Sequence, residues 1–114
     1  MQQKMVIFTR TFDLVSLLIP MSMKFPRTQR FIVTKRLQDA ILDFYELIIE
    51  ANNIRKRDRL INLRKADARL DSVRHYIRLC HRWEWLNQGQ YNHVSDMVSE
   101  VGKLLGGWIK QTKD

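Results

Sequence analysis

The stretch LQDAILDFYELIIEA, residues 37–51, indicates the fold class because its apolar residues recur at helical spacing. Leu37, Ile41, Phe44, Ile48 and Ala51 are separated by four, three, four and three residues, which places them on one side of an α-helix. A helix with one apolar side buries that side against other elements. We therefore expect a helix over about residues 29–53, with this row of residues in a core.

Three further segments show the same period and predict helices over about residues 11–23, 56–83 and 88–110. The core row of the third helix is Leu63, Ala66, Leu70, Val73 and Ile77. No stretch alternates between apolar and polar residues as a strand would, and the connections between helices are short. The sequence thus predicts an all-α protein, an antiparallel up-down-up-down four-helix bundle.

Two local features bear on the helix geometry. Pro20 lies inside the first predicted helix, where we expect a kink or fraying because proline removes a backbone donor. Gly102 and Gly106 lie four residues apart in the fourth helix, a spacing that predicts close approach of a neighbouring helix.

The composition limits the class of protein. The chain has 114 residues, 45% of them hydrophobic, which fits one compact domain. A single cysteine, Cys80, excludes an internal disulfide and fits a reducing cytoplasm. Arg10, Asp13 and Pro20 interrupt the apolar N-terminal residues, and the sequence contains no apolar run of the roughly 20 residues that a membrane span needs. We therefore expect neither a signal peptide nor a membrane span.

The charge is concentrated in the third predicted helix. The formal net charge is +8, and residues 55–82 contribute ten basic and three acidic residues. Such a surface favours an anionic partner such as nucleic acid, because guanidinium groups bind phosphates bidentately. The alternative is that these bases neutralise Asp39, Asp43, Glu46 and Glu50 of the second helix. The candidate residues for binding nucleic acid or a protein partner are Arg57, Arg64, Arg74, Arg78 and Arg82.

A second apolar set, Leu42, Tyr45 and Ile49, lies roughly 120° around the second helix from the core row. Two interpretations stay open: a wide helix side that touches two neighbours, or an interface between protomers. Trp83 and Trp85, at the end of the third helix, present a similar choice. They either stack on nucleic-acid bases or close the end of the bundle.

No catalytic constellation is visible in the sequence. His75, His81 and His93 do not have metal-ligand spacing, and no glycine-rich loop of the phosphate-binding kind is present. Cys80 lies beside the core row, as a buried structural thiol would. The sequence therefore predicts no enzyme activity, no metal, no cofactor and no small-molecule substrate.

Three segments together resemble a known family. They are KFPRTQRF (residues 24–31), LDSVRHYIRL (residues 70–79) and EVGKLLGGWIK (residues 100–110). They are similar to the accessory variability determinant protein (Avd) of diversity-generating retroelements, over roughly residues 12–110. The ending is the most specific of the three.

This resemblance implies a bacterial, archaeal or phage-encoded four-helix bundle that assembles as a barrel-shaped homopentamer. It also implies binding to the retroelement's reverse transcriptase and to RNA or DNA, in support of mutagenic cDNA synthesis. The family's basic positions correspond to Arg74 and Arg78, and the spacing adds Arg82. The rival is the related family of proteins encoded in 23S ribosomal RNA intervening sequences. A structural bundle with no nucleic-acid role is the other alternative.

Overall fold

The computed structural model describes residues 2–114, with side chains from residue 6 onward. This part of the chain forms four α-helices and contains no strand. The helices are α1 (Gln2–Ser22), α2 (Val33–Asn53), α3 (Lys56–Arg82) and α4 (Gln88–Lys113), with a 3-10 turn at Arg27–Gln29 between α1 and α2. The all-α prediction is confirmed for these residues.

The helices form a closed ring in which each packs against the next, and α4 packs against α1. Four contacts, one at each interface, are Ser22 with Gln38, Leu47 with Asn62, His81 with Tyr91, and Phe8 with Trp108. In every pair a residue toward the end of one helix lies beside a residue toward the start of its neighbour, so successive helices run antiparallel. The result is an elongated bundle measuring 44 × 25 × 19 Å.

The core follows the predicted rows. All five members of the α2 row and all five of the α3 row are buried, and Cys80 is buried with them. The buried residues of α4 are Val94, Val98, Val101, Leu105 and Trp108. Periodicity was sufficient to predict these buried rows, because a helix flanked by two neighbours buries a strip only slightly wider than one residue row.

Two helix starts differ from the predicted ones. α1 begins at Gln2 rather than near residue 11, and its added turns bury Ile7 and place Phe8 against Trp108, with ring centroids 6.0 Å apart. α2 begins at Val33 rather than near residue 29, because Pro26 and the 3-10 turn occupy the preceding positions. Pro20 lies inside α1, and the helix ends two residues later.

The expectation for the glycines is wrong at one of the two positions. At Gly102, a Cβ atom would lie 2.3 Å from a terminal nitrogen of Arg74, so this glycine does allow a close approach from α3. At Gly106, no described atom lies within 4 Å of such a Cβ, and the position is exposed. The spacing of four residues rotates Gly106 about 40° further from α3, which moves it out of the interface.

Candidate nucleic-acid interface

The basic residues of α3 fall into four groups according to what surrounds them. Arg59 points toward α2, where its Nε donates to the Ala51 carbonyl oxygen at 2.7 Å and a terminal nitrogen donates to the Ile54 carbonyl oxygen at 3.0 Å. These carbonyls belong to the end of α2, whose last turn has no helical partners of its own. Arg59 is therefore a structural cap, a role that its place in a basic run did not reveal.

A second group faces the acidic residues of α2 across an open groove of about 440 Å³. Lys65 and Arg69 line one side of this groove, and Asp43, Glu46 and Glu50 line the other. No nitrogen of these bases comes within 4.0 Å of those carboxylates in the described residues. The neutralisation by α2 considered above is thus confined to long-range attraction, which solvent screens.

Arg74 belongs to the side of α3 that faces α4. Its side chain is half-buried over Gly102, and one terminal nitrogen lies 3.5 Å from the Asp71 carboxylate. Arg78 lies one turn further along, at a groove of about 190 Å³ that it shares with Arg74, Tyr91 and Ser95. These two predicted site residues therefore do lie together, in an open groove between α3 and α4.

The remaining candidates form what we call the arginine strip: Arg57, Arg64, Arg78 and Arg82. All four side chains are exposed, and none has a carboxylate partner within 4.0 Å in the part of the chain that the structure describes. Arg57 and Arg82 are 25 residues apart along one helix, or about 37 Å. The five predicted residues therefore do not line one pocket but follow the length of the bundle.

The residues of the predicted protomer interface lie outside the core. Leu42 is 39% exposed and Ile49 is 42% exposed, while Tyr45 is half-buried. The wide-side interpretation requires both helices next to α2 to cover these residues, and within one protomer they leave two of the three exposed. An interface between copies of the chain therefore stays a prediction for this surface.

The two tryptophans at the end of α3 have different environments. Trp85 is half-buried, and its ring centroid lies 5.5 Å from that of buried Phe25. Trp83 lies outside Trp85, at 5.2 Å between centroids, and is 45% exposed. Trp85 closes the end of the bundle, as one of the two interpretations required, and Trp83 keeps a solvent-facing ring.

The remaining candidates for site chemistry are the Cys80 thiol and possible metal ligands. Burial raises the pKa of the Cys80 thiol to about 12, so the thiol stays protonated near neutral pH. Across the side chains from residue 6 onward, no group of His, Cys, Asp and Glu is arranged to hold a metal ion. None of the described helices is both long enough and apolar enough to span a membrane.

Comparison with known proteins shows the family of this chain. The bAvd-like family matches residues 5–112, nearly the whole chain. The chain belongs to the bAvd-like family. The resemblance drawn from the three sequence segments is therefore confirmed, and it extends through the N-terminal part of α1 that the structure adds to the predicted helix.

The bAvd-like fold also matches a solved structure. A protein of unknown function from the S23 ribosomal protein family of Bacteroides thetaiotaomicron superposes with a TM-score of 0.87 at 19% identity. The alignment covers 95% of the bAvd-like chain and 98% of the other chain. At this identity the likeness concerns the fold alone. No curated protein matches the chain.

One basic segment of this bAvd-like chain escaped the sequence reasoning. Residues 23–36, which comprise the connection between α1 and α2 and the first turn of α2, contain five basic residues and no acidic one. The signal in the sequence is the density of basic residues, although their total charge is smaller than that of α3. The structure brings this segment beside the end of α3, since Phe25 contacts Trp85.

Proposed function

We infer that this bAvd-like protein is a non-enzymatic, cytoplasmic accessory protein of a diversity-generating retroelement. In this proposal it holds a reverse transcriptase together with template RNA or cDNA and so supports mutagenic cDNA synthesis and retrohoming. The observation that carries the proposal is the arginine strip, because exposed guanidinium groups without carboxylate partners favour an anionic ligand. Family membership supplies the class of system.

The proposed protein acts as an oligomer, a homopentamer by family analogy. Leu42, Tyr45 and Ile49 supply an apolar surface that one protomer does not cover. Assembly through α2 would present one arginine strip per protomer. Several weak phosphate-binding surfaces on one particle raise the overall affinity, because the second contact becomes intramolecular.

A salt titration of nucleic-acid affinity tests this proposal. The double variant Arg74→Ala/Arg78→Ala removes Arg78 of the arginine strip and the neighbouring Arg74, and it should weaken binding and flatten the dependence of log K on log salt. The expected change in slope is about 0.7 per lost contact for single strands and about 0.9 for duplex DNA. The same variant should capture less reverse transcriptase in a pull-down assay. Helicity should be retained, although lost packing of the Arg74 stem lowers stability somewhat.

The matched control is Lys65→Ala/Arg69→Ala, which removes the same charge from the same helix. These two bases face the acidic residues of α2, so their loss should change the slope much less. Equal losses in both double variants would show that net charge alone drives binding. A wild-type protein and an Arg74→Ala/Arg78→Ala variant with identical slopes and affinities would show that the basic side serves the fold only.

A second candidate function rests on the structural neighbour from the S23 ribosomal protein family. In this alternative the protein belongs with those encoded in 23S ribosomal RNA intervening sequences. The neighbouring genes separate the two. A reverse-transcriptase gene with paired template and variable repeats supports the retroelement, and a surrounding ribosomal RNA gene supports the alternative.

A further inference from the structure

One end of the bundle combines exposed aromatic rings with basic side chains. We call it the aromatic end and define it by residues 23–32, between α1 and α2, and residues 82–87, between α3 and α4. Phe31 is 79% exposed, the highest value among the large hydrophobic residues whose side chains are described, and Trp83 is 45% exposed. Folding alone does not explain two exposed rings at the same end of one small protein.

The two connections contact each other through their aromatic rings. Phe25 packs against Trp85, and Trp85 packs against Trp83, so a row of rings leads from the core to solvent. Phe25 also lines an open groove of about 450 Å³ together with Phe31, Arg27 and Arg30. The buried ring of Phe25 therefore joins the groove to the tryptophans.

The charge of this surface selects the kind of partner. Arg27, Arg30 and Arg82 are exposed and have no carboxylate partner within 4.0 Å among the described side chains. Lys35, by contrast, is paired with Asp39 at 2.6 Å. Glu84 is the one acidic residue within the two connections. A contact between the aromatic ends of two copies is disfavoured, because like charges would face each other across it.

We propose that the aromatic end binds single-stranded nucleic acid. Bases stack on Trp83 and Phe31, and phosphates contact Arg27, Arg30 and Arg82. Single strands rather than duplexes are the ligand, because the faces of paired bases are already covered by their neighbours whereas unpaired bases can stack on aromatic rings. The proposal rests on the proposed nucleic-acid function and adds a second site to the arginine strip.

The variants Trp83→Leu and Phe31→Leu test the stacking. Each should weaken binding of an oligouridylate of about 20 nucleotides by about 5- to 150-fold, the range for one lost stacked base. Binding of an RNA duplex should not change, and the salt slope should stay constant because no phosphate contact is lost. Quenching of tryptophan fluorescence by the oligouridylate should be absent in Trp83→Leu and present in Phe31→Leu.

The control is Phe12→Leu, a change of the same kind at a 59% exposed ring in the middle of α1, and it should bind as the wild type does. Trp83→Phe keeps an aromatic ring and should retain most of the affinity even if Trp83→Leu unfolds. A loss of affinity in Trp83→Phe equal to that in Trp83→Leu, with helicity intact, contradicts stacking.

Five other outcomes overturn the proposal. Equal loss of single-strand and duplex binding would show a general electrostatic or structural effect. A lower assembly mass in the aromatic variants would show a contact between copies, and loss of reverse-transcriptase capture with unchanged RNA affinity would show a protein-docking surface. If the wild type binds no nucleic acid, the proposed function fails as well. If the wild type binds nucleic acid and the aromatic variants bind it with the same affinity, this proposal alone fails.

Discussion

At the scale of single residues, the arginines of α3 have different roles because their neighbours differ. Arg59 donates to carbonyl oxygens at the end of α2, whereas Arg74 lies across Gly102 and Arg64 is exposed. A capping arginine such as Arg59 is held by its carbonyl acceptors and is not available to a phosphate. The number of bases in a segment therefore overstates the number of binding groups.

Glu84 has a backbone conformation that is unfavourable for a residue other than glycine. Its φ is 65°, in the left-handed region, and it follows α3 in a Schellman arrangement. The Trp85 amide donates to the Cys80 carbonyl oxygen at 2.8 Å, and the Glu84 amide donates to the His81 carbonyl oxygen at 3.0 Å. This turn orients Trp85 toward Phe25, so the strained residue helps to build the aromatic end.

We predict that Glu84→Gly raises the free energy of unfolding by about 0.5–1 kcal/mol. Glycine adopts the left-handed conformation without the side-chain clash, and the gain is reduced by the greater freedom of glycine in the unfolded chain. Urea denaturation monitored by circular dichroism measures the change. Glu84→Gln removes the charge but keeps the clash, and it should stay within about 0.5 kcal/mol of the wild type. A less stable Glu84→Gly variant would contradict this account.

At the scale of elements, α4 shows how one helix uses similar residues differently along its length. Its start is fixed by a capping box, in which the Asn87 side chain accepts from the Gln90 amide at 2.8 Å and the Gln90 side chain accepts from the Asn87 amide at 2.9 Å. Further along, Gly102 accommodates Arg74, whereas Gly106 faces open space. Only the first glycine has a packing reason within the protomer.

We therefore predict that Gly106→Ala stabilises the protein more than Gly102→Ala does. Alanine in a helix interior is favoured over glycine by about 0.8–1 kcal/mol, and Gly106→Ala should gain most of this. At Gly102 the new methyl group displaces the Arg74 guanidinium, which offsets part of the gain. Thermal denaturation of both variants compares them, with an expected rise of about 4 °C for Gly106→Ala. Destabilisation by Gly106→Ala would show that something packs on this glycine.

At the scale of the whole molecule, the arginine strip and the predicted protomer interface lie on different sides of the bundle. The arginine strip follows α3, and the apolar residues Leu42 and Ile49 lie on α2. Between these two sides lie the acidic residues that line the groove with Lys65 and Arg69. An assembly that buries the apolar side of α2 can therefore leave the arginine strip accessible.

We predict that Ile49→Asp converts the assembly to smaller species while helicity is retained. Burying an unpaired carboxylate in an interface costs several kcal/mol, roughly, whereas a carboxylate on the surface of a lone protomer stays hydrated. Light scattering gives the mass, and circular dichroism gives the helicity. Ile61→Asp makes the same change at a 62% exposed position on α3 and should leave the mass unaltered. A monomeric wild-type protein would contradict the interface.

Local periodicity made the helices and their core rows predictable before the structure was known. The rows from Leu37 to Ala51 and from Leu63 to Ile77 were readable because a helix places every third or fourth residue on one side, whatever its partner is. The fold class and the family followed from such rows and from short motifs. The row in α1 also extends upstream through Ile7 and Thr11 at the same spacing, which indicates the earlier start of this helix.

Contacts between residues from distant segments are visible only in the tertiary structure. No periodicity shows that Arg59 reaches the end of α2, that Gly102 lies under Arg74, or that Phe25 packs on Trp85. These contacts depend on the relative height and rotation of packed helices, which differ by fractions of a turn and are set by the whole core. For the same reason the total charge of α3 was readable from the sequence, whereas its division into capping, groove-lining and exposed arginines was not.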